Sequence, residues 1–347
     1  MRYLLSLLLF CAPVVHAQLP AQTLDSLLEV HRAELSGRGG GATLLLAQHG
    51  TLIYAHSEGD FSADKPVPIA SASKWYSGVL LMTLVHDGLL SLDDKVSKYI
   101  PSFLTPDKKD ITVRQCFALT AGFAGGSDEL DEFMGFRGEG FAAMVDRIAR
   151  EPLLALPGTQ LHYGGLGMQV AGRVCELAAG KSWHRLFEER VARPLGLKAT
   201  FYGGRHIGAT PRIGGGVLSC ASDYLKLLEL LAGEGRFRGR QLLTPVEVRE
   251  LLSDQTGAAG IGYSPFTKYK RVLDTPRDPR YGIGNWIIRE PSFTINTSPG
   301  AFGFTPWIDR ERGYYGVLAV QSAGPRVMPV FWKLLAAINK GVDTKAR

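Results

Sequence analysis

The chain has 347 residues, 45% of them hydrophobic, with 39 basic against 33 acidic side chains and a pI near 9.1. That length and apolar content suffice for a sizeable core in one large domain or two interleaved ones, and they exclude a disordered or low-complexity chain. The basic excess is scattered, with no run longer than Lys108-Lys109, whereas a nucleic-acid surface concentrates its charge and interleaves aromatic residues; no nucleic-acid partner is expected.

Met1-Arg2-Tyr3, the apolar run Leu4 to Phe10 and the ending Val15-His16-Ala17 have the layout of an export leader over residues 1–17, with Gln18 opening the mature chain. The run is too short for a permanent anchor, so no stable membrane span is expected after cleavage, and the expected location is periplasmic or secreted. Bulky Phe10 before Cys11 argues against lipidation. The remaining Cys116, Cys175 and Cys220 form an odd, widely spaced trio, which is neither a disulfide framework nor a zinc pattern. They are expected as buried thiols, with at most one pair bridged.

Apolar Leu24, Leu27, Leu28 and Val30 predict an opening helix from Thr23 to Leu35. Ala42 to Ala47 and Thr51 to His56 follow as two strands joined across Gln48-His49-Gly50. Pro66 and Pro68 then hold the chain extended before Ser71-Ala72-Ser73-Lys74, where helical spacing of Val79, Leu80, Leu81, Leu84 and Val85 predicts a helix that opens at Ser71 and stops at Asp87-Gly88. Residues three apart on a helix are neighbours, so Lys74 is expected beside Ser71. A serine at a helix start faces free N–H groups, and a lysine desolvated by an apolar helix can take its proton. Ser62-Ala63-Asp64-Lys65 repeats the spacing in a charged loop, where no such desolvation is expected.

A capped helix is expected from Ile111 into a glycine turn near Phe123, then helices over Gly140 to Arg150, Leu166 to Ala179 and Ser182 to Val191. Further helices are expected over Ser222 to Ala232 and from Thr244-Pro245 to about Leu252. Strands follow at Tyr281 to Arg289, Phe293 to Asn296, Phe302 to Asp309 and Tyr314 to Gln321, and a last helix runs from Val327 to about Lys340. This order predicts an α/β sheet domain made of residues 18–90 and 212–347, with residues 91–211 as a mainly helical insertion. No Gly-x-Ser-x-Gly elbow, phosphate-binding Gly-Lys-Ser/Thr loop or paired-histidine metal motif occurs, and Gly138-x-Gly-x-x-Ala143 lacks the preceding strand of a dinucleotide fingerprint. Hence no metal or cofactor is expected, and nothing in the sequence speaks to oligomeric state.

Ser71-Ala72-Ser73-Lys74 at the head of this order resembles the serine beta-lactamase and penicillin-binding-protein superfamily, in the branch with class C beta-lactamases, D-Ala carboxypeptidases and related esterases. Four more stretches resemble that branch in order: Ile111 to Phe123, Leu156 to Gly167, Gly214 to Tyr224, and Ser298-Pro299-Gly300-Ala301-Phe302-Gly303 with Trp307-Ile308-Asp309. The resemblance implies a beta-lactamase/transpeptidase-like fold with an antiparallel sheet from both termini flanked by helices. It implies an acyl-enzyme on Ser71, with Lys74 and Tyr163 as proton carriers and the backbone N–H groups of Ser71 and Ala301 as the oxyanion hole. Substrate would lie along Gly165, Ser298, Gly300 and Phe302.

Two positions depart from the family pattern. Gly165 stands where the branch has an asparagine, and Ser298 where it has lysine or histidine, so a substrate amide and a substrate carboxylate each lose a partner. Arg289, Lys268 or Arg271 are the candidates to restore a cation. Trp75, Tyr76, Phe123, Phe302, Phe304 and Trp307 are candidates to line an apolar pocket. The expected activity is that of an exported serine hydrolase acting on a small acyl substrate, esters first. The alternatives are a beta-lactamase or D-Ala-D-Ala carboxypeptidase, and a catalytically weak binding or regulatory protein.

Overall fold

The computed structural model describes residues 19–37, 40–126, 140–203, 210–266 and 279–342. The expected leader, Gly138, Lys268 and Arg271 lie outside them. Helices α1 (Ala21–Val30) and α2 (Arg32–Ser36) lead into β1 (Gly41–Gln48) and β2 (Thr51–Gly59). These strands meet in a two-residue hairpin whose loop residues His49 and Gly50 both take positive φ, 48° and 81°, as the twist of such hairpins demands. A short β3 (Val67–Pro68) then delivers the chain to α3 (Ser73–His86).

The middle of the chain carries α4 (Val113–Phe117), α5 (Phe141–Ile148), β4 (Gln160–His162), α6 (Leu166–Ala179) and α7 (Trp183–Phe187), which continues through a π-turn (Glu188–Ala192) to Leu195. Thr112 caps α4 through a reciprocal capping box with Gln115, and Thr244 caps a later helix the same way with Glu247. Next come β5 (Phe201–Tyr202), β6 (Val217–Ser219), α8 (Ala221–Ala232), a small hairpin of β7 (Arg236–Phe237) and β8 (Arg240–Gln241), α9 (Pro245–Leu252) and β9 (Gly260–Tyr263). The last part holds β10 (Arg280–Tyr281), β11 (Trp286–Glu290), β12 (Phe293–Thr297), β13 (Thr305–Asp309), β14 (Tyr314–Val320) and α10 (Gly324–Gly341).

The main sheet has seven strands in the order β10-β11-β12-β13-β14-β1-β2, every neighbour antiparallel, so the two ends of the chain meet at the β14–β1 ladder. This is the expected antiparallel sheet from both termini, flanked by helices. Strand β1 is buried on both faces, which is why Ala42-Thr43-Leu44-Leu45-Leu46-Ala47 shows no polar alternation. On one face α10 covers the sheet, with Phe331 edge-on to Trp307 at 5.2 Å and Asn339 accepting from the Tyr314 hydroxyl. On the other face lies α8. Helix α3 is buried from Ser73 to Leu84, consistent with a helix apolar on nearly every side.

Two expected strands are shorter than their patterns. The run Tyr281 to Arg289 breaks into β10 and β11 because residues 282–285 leave the sheet and press against α3. The expected strand from Phe302 begins only at Thr305, because residues 298–304 form a turn in which the Gly300 N–H donates to the Phe304 carbonyl and Gly303 takes φ 85°. Among the described residues, Cys116, Cys175 and Cys220 are buried and form no disulfide. No described helix is long and apolar enough to cross a membrane.

Candidate active site

Ser71 lies in a 3-10 turn (Ala70–Ala72) that runs directly into α3, so the α-helix opens two residues later than expected. Ala70 takes φ 45°, a left-handed value that a residue with a Cβ holds only under constraint, and this turns the serine out of the helix line. Other elements supply the constraint. The Ser298 hydroxyl donates to the Ser71 carbonyl at 3.1 Å, the Tyr224 hydroxyl donates to the Ala72 carbonyl at 2.7 Å, and the Val217 N–H donates to Ser73 Oγ at 3.0 Å.

Lys74 Nζ reaches back to Ser71 Oγ at 3.2 Å and donates to the Gly214 carbonyl at 2.7 Å. The side chain is 3% exposed, and burial alone lowers its pKa to about 7. Near neutrality a substantial share of the amine is therefore uncharged, with a lone pair at hydrogen-bond distance from the serine hydroxyl. The second Ser-x-x-Lys copy behaves as a loop: Lys65 Nζ donates to the Asp60 carbonyl and sits over the Phe61 ring, and Asp64 takes the Ser222 hydroxyl.

Tyr163 follows β4, which pairs in parallel with β9. Its N–H donates to the Tyr263 carbonyl and its carbonyl accepts from the Gly126 N–H, both at 3.0 Å. A Cβ on Gly125 would fall 2.6 Å from that carbonyl, so only glycine lets this loop lie against the tyrosine backbone. Lys74 Nζ stands 5.0 Å from the centroid of the Tyr163 ring. The lysine amine is thus near both the serine hydroxyl and the tyrosine ring.

The turn after β12 runs beside the serine. A Cβ on Gly300 would meet the Ile69 carbonyl at 2.2 Å, so residues 300 and 69 are in backbone contact. Among the described residues, neither the Ser71 nor the Ala301 N–H donates a hydrogen bond. Phe302, 47% exposed, presents its ring from the same turn. Gly165 caps α6, and its Cα lies 3.7 Å from the Cβ position of Gly214, next to Lys74. Ser298 is 2% exposed and its hydroxyl faces the carbonyls of Ser71 and Gly284, so it ties the turn to the serine.

The other candidates stand differently. Trp75, Tyr76, Phe123, Phe304 and Trp307 are core residues, each 5% exposed or less, which leaves Phe302 as the exposed member of that set. Arg289 lies in a groove with Thr294 and Asn296, beside the ends of α8 and α9. Sequence reasoning missed the Gly214 carbonyl, an acceptor any residue type carries, and Trp286, whose ring stacks on Tyr163 from 123 positions further along the chain rather than along any local pattern.

Residues 282–285 set the position of α3. Asn285 Nδ2 donates to the carbonyls of Leu251 and Ile283, and Asn296 Nδ2 donates to Asn285 Oδ1. Gly284 takes φ 79°, and a Cβ there would lie 2.2 Å from the Lys74 carbonyl. Gly284→Ala is therefore expected to lower stability by about 2–4 kcal/mol through strain and backbone displacement together. Urea unfolding checks this; an unchanged midpoint would show that the contact is not tight.

The family profile described as Beta-lactamase matches residues 21–339. Among solved structures, a candidate beta-lactamase from Bacteroides dorei DSM 17855 superposes with a TM-score of 0.79 at 26% identity, covering 92% of this chain and 98% of that one. Among curated proteins, acyltransferase calJ of Penicillium decumbens is 25% identical over 343 residues, 80% of each chain. Penicillin-binding protein 4 of Amycolatopsis lactamdurans is 30% identical over 142 residues, 39% of this chain, and the match spans only 36% of that protein's length. With the fold, the ordered motifs and a profile match over most of its length, the chain belongs to the Beta-lactamase family, a superfamily of serine hydrolases.

Proposed function

We propose that this protein is an exported, esterase-type serine hydrolase that works through an acyl-enzyme on Ser71. The observation that carries the reading is the buried Lys74 amine, 3.2 Å from Ser71 Oγ with its pKa lowered to about 7. Lys74 takes the hydroxyl proton as Oγ bonds to the carbonyl carbon, and Tyr163 returns a proton to the leaving alkoxide as the C–O bond breaks. In the second half the Tyr163 phenolate takes a proton from the water that attacks the acyl carbon, and the Lys74 ammonium returns its proton to Ser71 Oγ as the bond between Oγ and the acyl carbon breaks. The N–H groups of Ser71 and Ala301 hold the oxyanion in both halves.

Esters are favoured over lactams by what the site lacks. Gly165 offers no amide to a substrate amide, and the Ser298 hydroxyl is already turned toward two backbone carbonyls. An ester needs neither an amide partner nor a carboxylate receptor, and the Phe302 ring offers apolar surface to its acyl or alcohol part. The leader-like residues 1–17 support export to the periplasm or beyond.

Intact-mass measurement after exposure to an aryl ester, benzylpenicillin and a fluorophosphonate tests the proposal. The expected result is ester turnover, fluorophosphonate labelling of Ser71 and no stable penicilloyl adduct. A penicilloyl adduct without ester turnover would move the substrate to lactams or peptides. Failure of all three reagents would make the protein a binding module on this fold.

A further inference from the structure

We infer that Trp286 is a positioning residue for Tyr163, and that their stack holds the helical side of the cleft in register with the sheet side. The inference rests on the catalytic reading above. Tyr163 arrives from the helical side, on the loop between β4 and α6, whereas Trp286 opens β11 of the main sheet. The two rings lie 5.0 Å apart at an interplanar angle of 24°, an offset stack, and Lys74 Nζ stands 5.0 Å from the centroid of the same Tyr163 ring.

Trp286 is itself held firmly. It is 1% exposed, with Tyr281 edge-on at 4.8 Å and Phe266 edge-on at 4.9 Å. Its ladder partner on β12 is Thr297, the residue just before Ser298. The indole is therefore tied through one strand pair to the turn that carries the Ala301 N–H. Tyr281 also meets Tyr163, edge-on at 6.0 Å, but its buried hydroxyl has no hydrogen-bond partner among the described residues, so it acts as packing. The Tyr163 backbone is held by its N–H, which donates to the Tyr263 carbonyl on β9, and by its carbonyl, which accepts from the Gly126 N–H. Backbone contacts do not fix the side-chain torsions, and the Trp286 ring stacked on the Tyr163 ring limits how far that ring can swing.

A group that transfers a proton in the transition state loses rate steeply when displaced by about 1 Å, while ground-state binding changes little. In the full-length protein with an aryl ester, Trp286→Leu is expected to lower kcat by about 10- to 100-fold with KM within about 3-fold. Trp286→Phe, which restores a flat ring, is expected within about 3-fold of wild type. In a Tyr163→Phe background, Trp286→Leu is expected to cost less than about 3-fold further, since the proton it positioned is gone. Near-ultraviolet circular dichroism checks that each variant folds.

Equal losses in both backgrounds, or a loss confined to KM, would overturn the inference and leave Trp286 as core packing. If the leucine variant does not fold, the same cycle is run with Trp286→Met against Trp286→Phe, and additivity there overturns it equally. Tyr163→Phe at full rate would instead sink the catalytic reading, and this inference with it.

Discussion

Ser71→Ala is expected to reduce ester turnover by about ten-thousand-fold or more, to the level of the oxyanion donors and binding alone. The size follows from covalent chemistry: without Oγ there is no acyl-enzyme, and no nearby hydroxyl can replace it. Ser73 is the obvious substitute by sequence, yet it is fully buried and its oxygen accepts from the Val217 N–H. The fold should not notice. Ser71 is only partly buried, the hydrogen bond from Ser298 goes to its carbonyl, and Lys74 keeps the Gly214 carbonyl as acceptor. The melting temperature is expected within about 2 °C of wild type, the range of a surface-like change. Steady-state rates with an aryl ester, together with loss of fluorophosphonate labelling, decide the matter. A variant retaining a tenth of the rate would remove Ser71 from the mechanism.

How far the sequence carries toward this site depends on the range of each contact. The Ser71–Lys74 pair is local, set by three residues of helix rise, and its apolar helix already implied a desolvated amine. Burial to 3% exposure agrees with that. Tyr163 is far from both in sequence, so no periodicity could bring it in; only the order of family-like segments did. The Gly214 carbonyl and Trp286 were out of reach altogether, since one is backbone and the other opens a strand that looked continuous with Tyr281. The same cause shortened that strand. Gly282 and Gly284 sit inside a pattern rich in strand formers, and their purpose, close approach of 282–285 to the α3 backbone, appears only once α3 is in place. Likewise Gly300 and Gly303 turned the start of an expected strand into the loop that passes Ile69. The aromatic residues near the motifs were a weaker guide, because proximity in sequence to Ser71 places Trp75 and Tyr76 in the core beneath it.

Lys74→Met is expected to cost about a thousand-fold in kcat/KM and, at the same time, to make the protein more stable. Both effects come from one buried amine. In the wild type only the uncharged form can accept the Ser71 proton, so kcat/KM should rise about tenfold per pH unit on the acid side and level off above about pH 7. That limb should vanish in the variant. For stability the sign follows from proton binding in the two states. Burial lowers the folded-state pKa from 10.5 to about 7, so between those values the unfolded chain holds a proton that the folded one has released. Wild-type stability from this group therefore rises with pH across that window. Below about pH 7 the full cost of a buried charge is present, on the order of several kcal/mol, and above about pH 10.5 it is gone. Methionine fills similar volume without the charge, so its advantage should be largest at pH 6 and smaller at pH 9, less whatever is lost by leaving the Gly214 carbonyl without its donor. Urea unfolding at those two pH values reads the difference directly. A pH-independent gain would mean that the lysine is not titrating in the folded state, and a flat rate profile would mean that some other group takes the serine proton.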